Sequence, residues 1–125
     1  MKYLLDTHAL LWYLFDDKNL SSTAKEIITN EFCYYSKISL WEIAIKQTRK
    51  LLEYKQSISE IIKACKDEEF DELFVSGNSL ELIKTLPDIH RDPFDRLLIA
   101  MSMENNLAII TKDSKIPLYN VKTIW

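Results

Sequence analysis

The sequence predicts an α/β protein, a three-layer α/β/α sandwich built around a five-stranded parallel sheet. Three observations carry that prediction. Segments of strand character alternate with segments of helical periodicity along the whole chain. The run Leu107-Ala108-Ile109-Ile110-Thr111 lacks the polar alternation of a solvent-facing strand, as expected of a parallel strand covered on both faces. One Gly and three Pro in 125 residues leave little material for a turn-rich all-β design.

Composition narrows the function classes. Hydrophobic residues make up 47% and charged residues 28%, an ordinary balance for a globular chain. At this length a chain buries about two thirds of its unfolded surface, and residues 1–125 read as a single domain. A net charge of −3 excludes a basic protein that coats nucleic acid at large, so a nucleic-acid role needs a local basic face or a bound metal. Cys33 and Cys65 stand far apart without a CxxC pair or a neighbouring His, which suits reduced thiols in a cytoplasmic protein. Asp6 and His8 interrupt the apolar N-terminus, so neither a signal peptide nor a membrane span is read there.

Lys2 to Asp6 opens the chain as a short apolar strand ending on an acid. Thr7 to Phe15 follows as a helix, with Leu10, Leu11, Leu14 and Phe15 on one side. Its Trp12, Tyr13 and Phe15 supply more apolar surface than one sheet face needs, so a second face is expected to meet a partner or second subunit. A helix from about Thr23 to Asn30 precedes an aromatic strand, Phe32 to Tyr35. Ser39-Leu40-Trp41-Glu42 reads as a capping box, with Ser39 at N-cap and Glu42 at N3. Gln47 to Lys55 is a basic passage, most simply a solvated face. Ser57 to Glu60 is another capping box, opening a helix that carries Cys65 on its core side. Phe70 to Val75 reads as a third strand and Gly77 as its turn. A short helix capped near Asn78 ends before Pro87.

The clearest helix start in the chain is His90-Arg91-Asp92-Pro93-Phe94-Asp95-Arg96. Asp92 is a good N-cap, Pro93 suits the first position, and Asp95 falls at N3. Leu97 to Met101 is apolar on nearly every side, so this helix should be buried, ending at Asn105-Asn106. After the strand Leu107 to Thr111 comes Lys112-Asp113-Ser114, and Val121 to Ile124 closes as an edge strand.

Asp6 and Asp113 are thus expected at carboxyl ends of strands, and Glu42 and Asp95 in first turns of helices. Each has a structural explanation as a cap or a helix-dipole partner. Together they point elsewhere, because four elements would bring carboxylates to the same end of one sheet, the end where ligands bind in parallel α/β folds. Such acids repel one another unless some hold protons or share a cation. Hard divalent ions take oxygen ligands, and a metal held this way supports phosphodiester hydrolysis.

Four blocks bear a specific resemblance: Tyr3 to Trp12, Ser39 to Lys46, His90 to Ala100 and Ile110 to Asp113. Their order and spacing resemble PIN-domain proteins, most nearly the VapC-type ribonuclease toxins of toxin–antitoxin pairs, over effectively the whole chain. The resemblance implies a metal-dependent endoribonuclease acting on RNA with Mg²⁺ or Mn²⁺, a cognate antitoxin partner and a homodimer. By motif, the acidic set maps to Asp6, Glu42, Asp95 and Asp113, with Asp113 the least constant of the four. Thr7, Asp92 and Thr111 are candidates to support these acids from behind, Asp92 chiefly as the N-cap. Lys46 and Arg96 are candidates for contact with RNA, although a surface ion pair is the simpler reading of Arg96. The chain departs from the family pattern at Arg49-Lys50-Leu51, where many relatives carry Gly-Lys-Leu, and at Met101-Ser102.

His8 and His90 are too few and too far apart to suggest a His-based ribonuclease. Trp12, Trp41 and Trp125 read as core or interface anchors. The competing class is an acidic-site module without nuclease activity, PIN-like or of the receiver type. A receiver carries paired acids after its first strand and an acceptor Asp at its third; here Asp6 stands alone and the third strand ends Phe74-Val75-Ser76.

Overall fold

The computed structural model describes residues 1–125 throughout. In chain order the elements are β1 (Lys2–Leu5), α1 (Thr7–Leu14), α2 (Ser22–Asn30), β2 (Phe32–Tyr35), α3 (Lys37–Thr48), α4 (Ile58–Asp67), β3 (Asp71–Glu72), α5 (Gly77–Ile83), α6 (Pro93–Asn105), β4 (Ala108–Ile110) and β5 (Thr123–Ile124). A 3₁₀ turn at Ile116–Leu118 leads into β5. The strands form one parallel sheet in the order β3-β2-β1-β4-β5.

Strand alternation divides the core into two layers. Tyr3 and Leu5 of β1, with Ala108 and Ile110 of β4, pack with residues of α1, α2 and α4. Leu4 points the other way, onto Leu98 and Met101 of α6, and Ile109 meets Ile99 and Ala100. Helices therefore cover both faces, as the unbroken apolar run in β4 predicts. Leu98, Ile99, Ala100 and Met101 are all 0% exposed, so α6 is enclosed on nearly every side. No helix is long and apolar enough to cross a membrane.

The strand order reverses at β1, which lies between β2 and β4. Connections leave in opposite directions at such a switch point and open a crevice beyond the carboxyl ends of the two central strands. Register fixes what faces it. Leu5 pairs with Ile110, and the Asp6 amide donates to the Ile110 carbonyl at 3.2 Å, so Asp6 and Thr111 leave the sheet side by side.

Four local expectations require correction. α3 begins three residues earlier than the Ser39 box implies: Ser36 is its N-cap, with Oγ accepting from the Ile38 amide at 3.1 Å. Ser39 is fully buried and its hydroxyl has no partner, which removes Glu42 from N3 and places it inside the helix. The third strand is only Asp71–Glu72; Phe74 and Val75 are exposed beyond the sheet edge. α5 starts at Gly77 with Ser76 as cap, so Gly77 is helical rather than a turn. The surplus aromatic surface of α1 is largely taken up within the fold, Tyr13 against Phe70 and Phe15 against Tyr54.

The basic passage is also more than a solvated face. The Gln47 amide donates to the carbonyls of Tyr54 and Gln56, and the Tyr54 hydroxyl donates to Asp17. Lys50 ends α3 in the left-handed region at φ 55°, a conformation that costs a non-Gly residue about 1–2 kcal/mol. Cys33 and Cys65 are free and buried, and burial pushes both thiols up to about 12.

The corrected start of α3 is directly testable. Ser36→Ala removes a working N-cap and is expected to cost about 0.5–2 kcal/mol. Ser39→Ala removes a buried hydroxyl without a partner and should leave stability unchanged or raise it. Urea unfolding of both variants checks this, and the reverse order would restore Ser39 as the cap.

Candidate functional site

Asp6 immediately follows β1 and caps α1, its Oδ1 accepting from the Ala9 amide at 2.9 Å. It is 7% exposed. Burial raises its pKa from 3.8 to about 6, and the charges of Glu42 and Asp113 push the same way. The Thr111 hydroxyl and the Ala9 amide oppose that rise. The cap explanation for Asp6 is therefore correct and incomplete, since a cap alone has no need of such burial.

Glu42 reaches the same place from the second turn of α3. One carboxylate oxygen accepts from the Thr7 hydroxyl at 2.6 Å and the other pairs with Lys46 at 2.8 Å. Lys46 lies one turn along the helix, so the contact is the ordinary i, i+4 pairing, but with a carboxylate only 5% exposed. Among the four candidate acids, Thr7 therefore supports Glu42.

Asp95 occupies the first turn of α6, three residues after the N-cap. Asp92 is that cap, accepting from the Phe94 and Asp95 amides at 2.9 and 3.0 Å. Burial and then the charges of Asp92, Asp6, Glu42 and Asp113 raise the Asp95 pKa from 3.8 to about 8. A carboxylate at a helix N-terminus gains about 0.3–1 kcal/mol from the dipole. Burial and the neighbouring acids act against the charged form that the dipole would favour, so the dipole alone does not explain its position.

Asp113 is partly committed to backbone. Its Oδ1 accepts from the Lys115 and Ile116 amides at 2.7 and 3.0 Å, holding the 3₁₀ turn, and its own amide donates to Thr111 Oγ1 at 3.0 Å. It nonetheless offers a ligand atom within 4.8 Å of ligand atoms from Asp95 and His90.

All four predicted acids, with Asp92, line one crevice of about 380 Å³ at the carboxyl ends of β1 and β4. Lys46 and Lys112 are the cations in its lining, facing five carboxylates. Trp12, expected as an anchor, also lines it, with Lys112 Nζ 5.8 Å from its ring centre and His8 and Trp125 packed against it. A larger cleft of about 610 Å³ opens beside Met1, Lys2 and Asn106 and contains no acid.

Arg96 is placed differently from its expected role. Its guanidinium donates to the carbonyls of Leu86 and Pro87 and to the Tyr119 hydroxyl, so it clasps a loop behind α6 and forms no ion pair. His90, set aside in the sequence as one of two distant histidines, is buried with Nε2 3.6 Å from Asp95 Oδ2. Its spacing of five residues from Asp95 was the available signal, but the Tyr119 that orients it comes from a distant segment.

Sequence comparison finds no match among curated proteins. The chain does resemble solved structures. It has a TM-score of 0.71 with VapBC2 from Rickettsia felis bound to a promoter DNA fragment, at 12% identity over 99% of this chain and 98% of that one. DNA-bound VapBC from Salmonella typhimurium gives 0.66 at 14% identity, over 99% and 97%. VapBC-5 from Mycobacterium tuberculosis gives 0.62 at 15% identity, over 98% and 97%. At these identities the likeness is one of fold. The family model of the PIN domain matches residues 3–122. Its span takes in every strand but the last and the entire acidic crevice, and on that match the chain belongs to the PIN-domain family.

Proposed function

We propose that this single-domain chain is a metal-dependent endoribonuclease, hydrolysing RNA phosphodiester bonds as the VapC-type toxin of a toxin–antitoxin pair. The observation that carries the reading is the convergence of Asp6, Glu42, Asp95 and Asp113, from four separate parts of the chain, on one crevice. Membership of the PIN-domain family supports it.

The donor set fits a hard divalent ion. It consists of carboxylate oxygens, with five carboxylates against two lysines in the crevice lining; burial first, and then neighbouring acids, raises the pKa of Asp6 and Asp95. Asp6, Glu42, Asp95 and Asp113 would hold Mg²⁺ or Mn²⁺. When bound, such an ion supplies a polarised phosphoryl oxygen and a water acidic enough to attack at neutral pH. The protein's own contribution is positional. Thr7 and Lys46 fix the Glu42 carboxylate, the Ala9 amide fixes Asp6, and the Lys115 and Ile116 amides fix Asp113. Lys46 and Lys112, at the crevice, are suited to the phosphates flanking the cleaved bond.

The VapBC neighbours support a cognate antitoxin as partner. An acidic crevice is a target for an Arg-bearing peptide segment, and exposed Trp41, Phe74 and Leu80 offer apolar surface for that partner or for a second copy in a homodimer. The reduced, buried cysteines suit a cytoplasmic location.

RNA cleavage is expected to vanish with excess chelator and to return with Mg²⁺ or Mn²⁺. Attack by water leaves 5′-phosphate and 3′-hydroxyl ends; a 2′,3′-cyclic phosphate would show instead that the RNA's own hydroxyl is the nucleophile. Activity that survives chelation would refute the metal requirement.

Asp95→Asn separates site from scaffold. In the metal-free protein the folded state holds a proton on Asp95 that the unfolded chain releases above about pH 4. The stability this contributes is complete below that pH and is lost as pH rises through about 8. Thermal melts of the metal-free wild type should therefore fall across this window. Asp95→Asn should flatten the fall and match or exceed wild-type stability at pH 8.5, while cleavage drops by orders of magnitude. Asp92→Asn retains a good N-cap and should keep both stability and most of the activity. A destabilised Asp95→Asn protein with normal cleavage would reduce Asp95 to a helix-end residue.

A further inference from the structure

Arg96, Tyr119, His90 and Asp95 form a connected chain from the back of α6 to the crevice, and its hydrogen bonds determine where the protons lie. The Tyr119 oxygen receives two donors, the Arg96 guanidinium and the His90 backbone amide, each at 3.2 Å. A phenolic oxygen has two lone pairs, so its accepting capacity is filled. Its own proton must then go outward. The acceptors available are His90 Nδ1 at 2.8 Å and the His90 carbonyl at 3.5 Å, and the shorter contact takes it. Nδ1 is consequently the acceptor nitrogen of a neutral ring whose proton sits on Nε2. That atom is buried with no hydrogen-bond partner and faces Asp95 Oδ2 at 3.6 Å, just beyond hydrogen-bonding distance.

From this arrangement we infer that His90 is a positioning residue for Asp95, locked by Arg96 and Tyr119 in the Nε2–H tautomer so that it presents a donor to the carboxylate. The assignment decides between two roles. His90, Asp95 and Asp113 lie close enough to share an ion, but a ring nitrogen carrying a proton has no lone pair to give one. His90 thus acts on the site through Asp95, turning one carboxylate oxygen toward itself and leaving the other free to face the crevice. Groups that orient a ligand in this way are typically worth about 10–100-fold in metal affinity or activity. The Arg96 clasp gives the chain its anchor, since the same guanidinium ties down the Leu86 and Pro87 carbonyls. The inference rests on reading Asp95 as a site carboxylate, yet its first test needs no RNA.

Nitrogen NMR of the ¹⁵N-labelled full chain reads the tautomer directly. The chain contains two histidines, and loss of one set of signals in His90→Gln assigns the other set to His8. The expected result is a protonated Nε2 and an unprotonated Nδ1 for His90, unchanged by Mg²⁺. An unprotonated Nε2, or one whose signal shows direct Mg²⁺ coordination, would overturn the inference. Tyr119→Phe keeps the ring and removes the donor. It should mix the two tautomers and raise, by about 10-fold or more, the Mg²⁺ concentration needed for half-maximal stabilisation in thermal melts. His90→Gln, whose amide can still donate, should retain more Mg²⁺ stabilisation than His90→Leu. Equal Mg²⁺ responses in wild type and Tyr119→Phe, or in the Gln and Leu variants, would equally defeat it. If the wild type cleaved no RNA, the ribonuclease reading would fall while the tautomer and melt results still decided this one.

Discussion

Crowded, buried negative charge at the switch point of the sheet is the constraint to which the rest of the molecule answers. Carboxylates packed this closely are unfavourable in a folded protein, and the surroundings temper the cost unequally. Asp6 accepts an amide hydrogen bond at the start of α1 and is raised only to about 6. Asp95 is less buried than Asp6, yet is raised to about 8. The difference follows from hydrogen bonding. Asp6 has the Ala9 amide and Thr111 as donors to its charged form, whereas the groups closest to Asp95 are another acid and a histidine at 3.6 Å. Glu42 is the best compensated of the set, with Thr7 on one oxygen and Lys46 on the other. The crevice is therefore graded, from an acid on α3 paired with a lysine to one on α6 with no lysine or arginine partner.

Topology explains why the charges meet at all. Parallel strands deliver all their carboxyl ends to one side, and reversal of strand order at β1 prevents the following connections from closing over the gap. Asp6 and Asp113 arrive on the two strands that border that gap, and Glu42 and Asp95 arrive on helices packed against each other across it. The apolar layers beneath supply rigidity. With Leu4, Leu5, Ile109 and Ile110 fully enclosed, the strand ends have little freedom to move apart and relieve the repulsion.

What the sequence revealed depended on how local the determining interaction was. The start of α6 was readable because Asp92, Pro93 and Asp95 act within one turn, and the structure reproduces that cap atom by atom. The start of α3 was not, because Ser39 completes the local capping pattern with Glu42, whereas Ser36, the actual cap, has no Glu or Gln three residues on; burial of Ser39 decides against it, and burial is a tertiary property. Phe70, Leu73, Phe74 and Val75 suit a strand, yet the two residues that pair with β2 are Asp71 and Glu72, because an edge strand pairs only where its neighbour runs beside it. Trp12 packs against Trp125 as an anchor and also borders the crevice, a second position that its helical spacing does not reveal. The convergence of the four acids was legible, since each could be placed at a strand or helix end without knowing any contact between them.

Asp95 and Arg96 show why adjacency in sequence misleads on a helix. An acid followed directly by a base suggests an ion pair, yet successive side chains on an α-helix diverge by about 100°. At the start of α6 that angle separates the inside of the molecule from the back of the helix. Asp95 turns into the crevice among its fellow acids, and Arg96 turns to the loop at Leu86 and Pro87. Had the two paired, the guanidinium would have lowered the Asp95 pKa and filled the space that a cation needs. Instead the arginine's charge is directed onto backbone carbonyls and the Tyr119 hydroxyl, where it orders the loop carrying His90. The segment from His90 to Arg96 is therefore one device with two outlets, a helix start that offers a carboxylate without a lysine or arginine partner on one side and secures its own approach on the other.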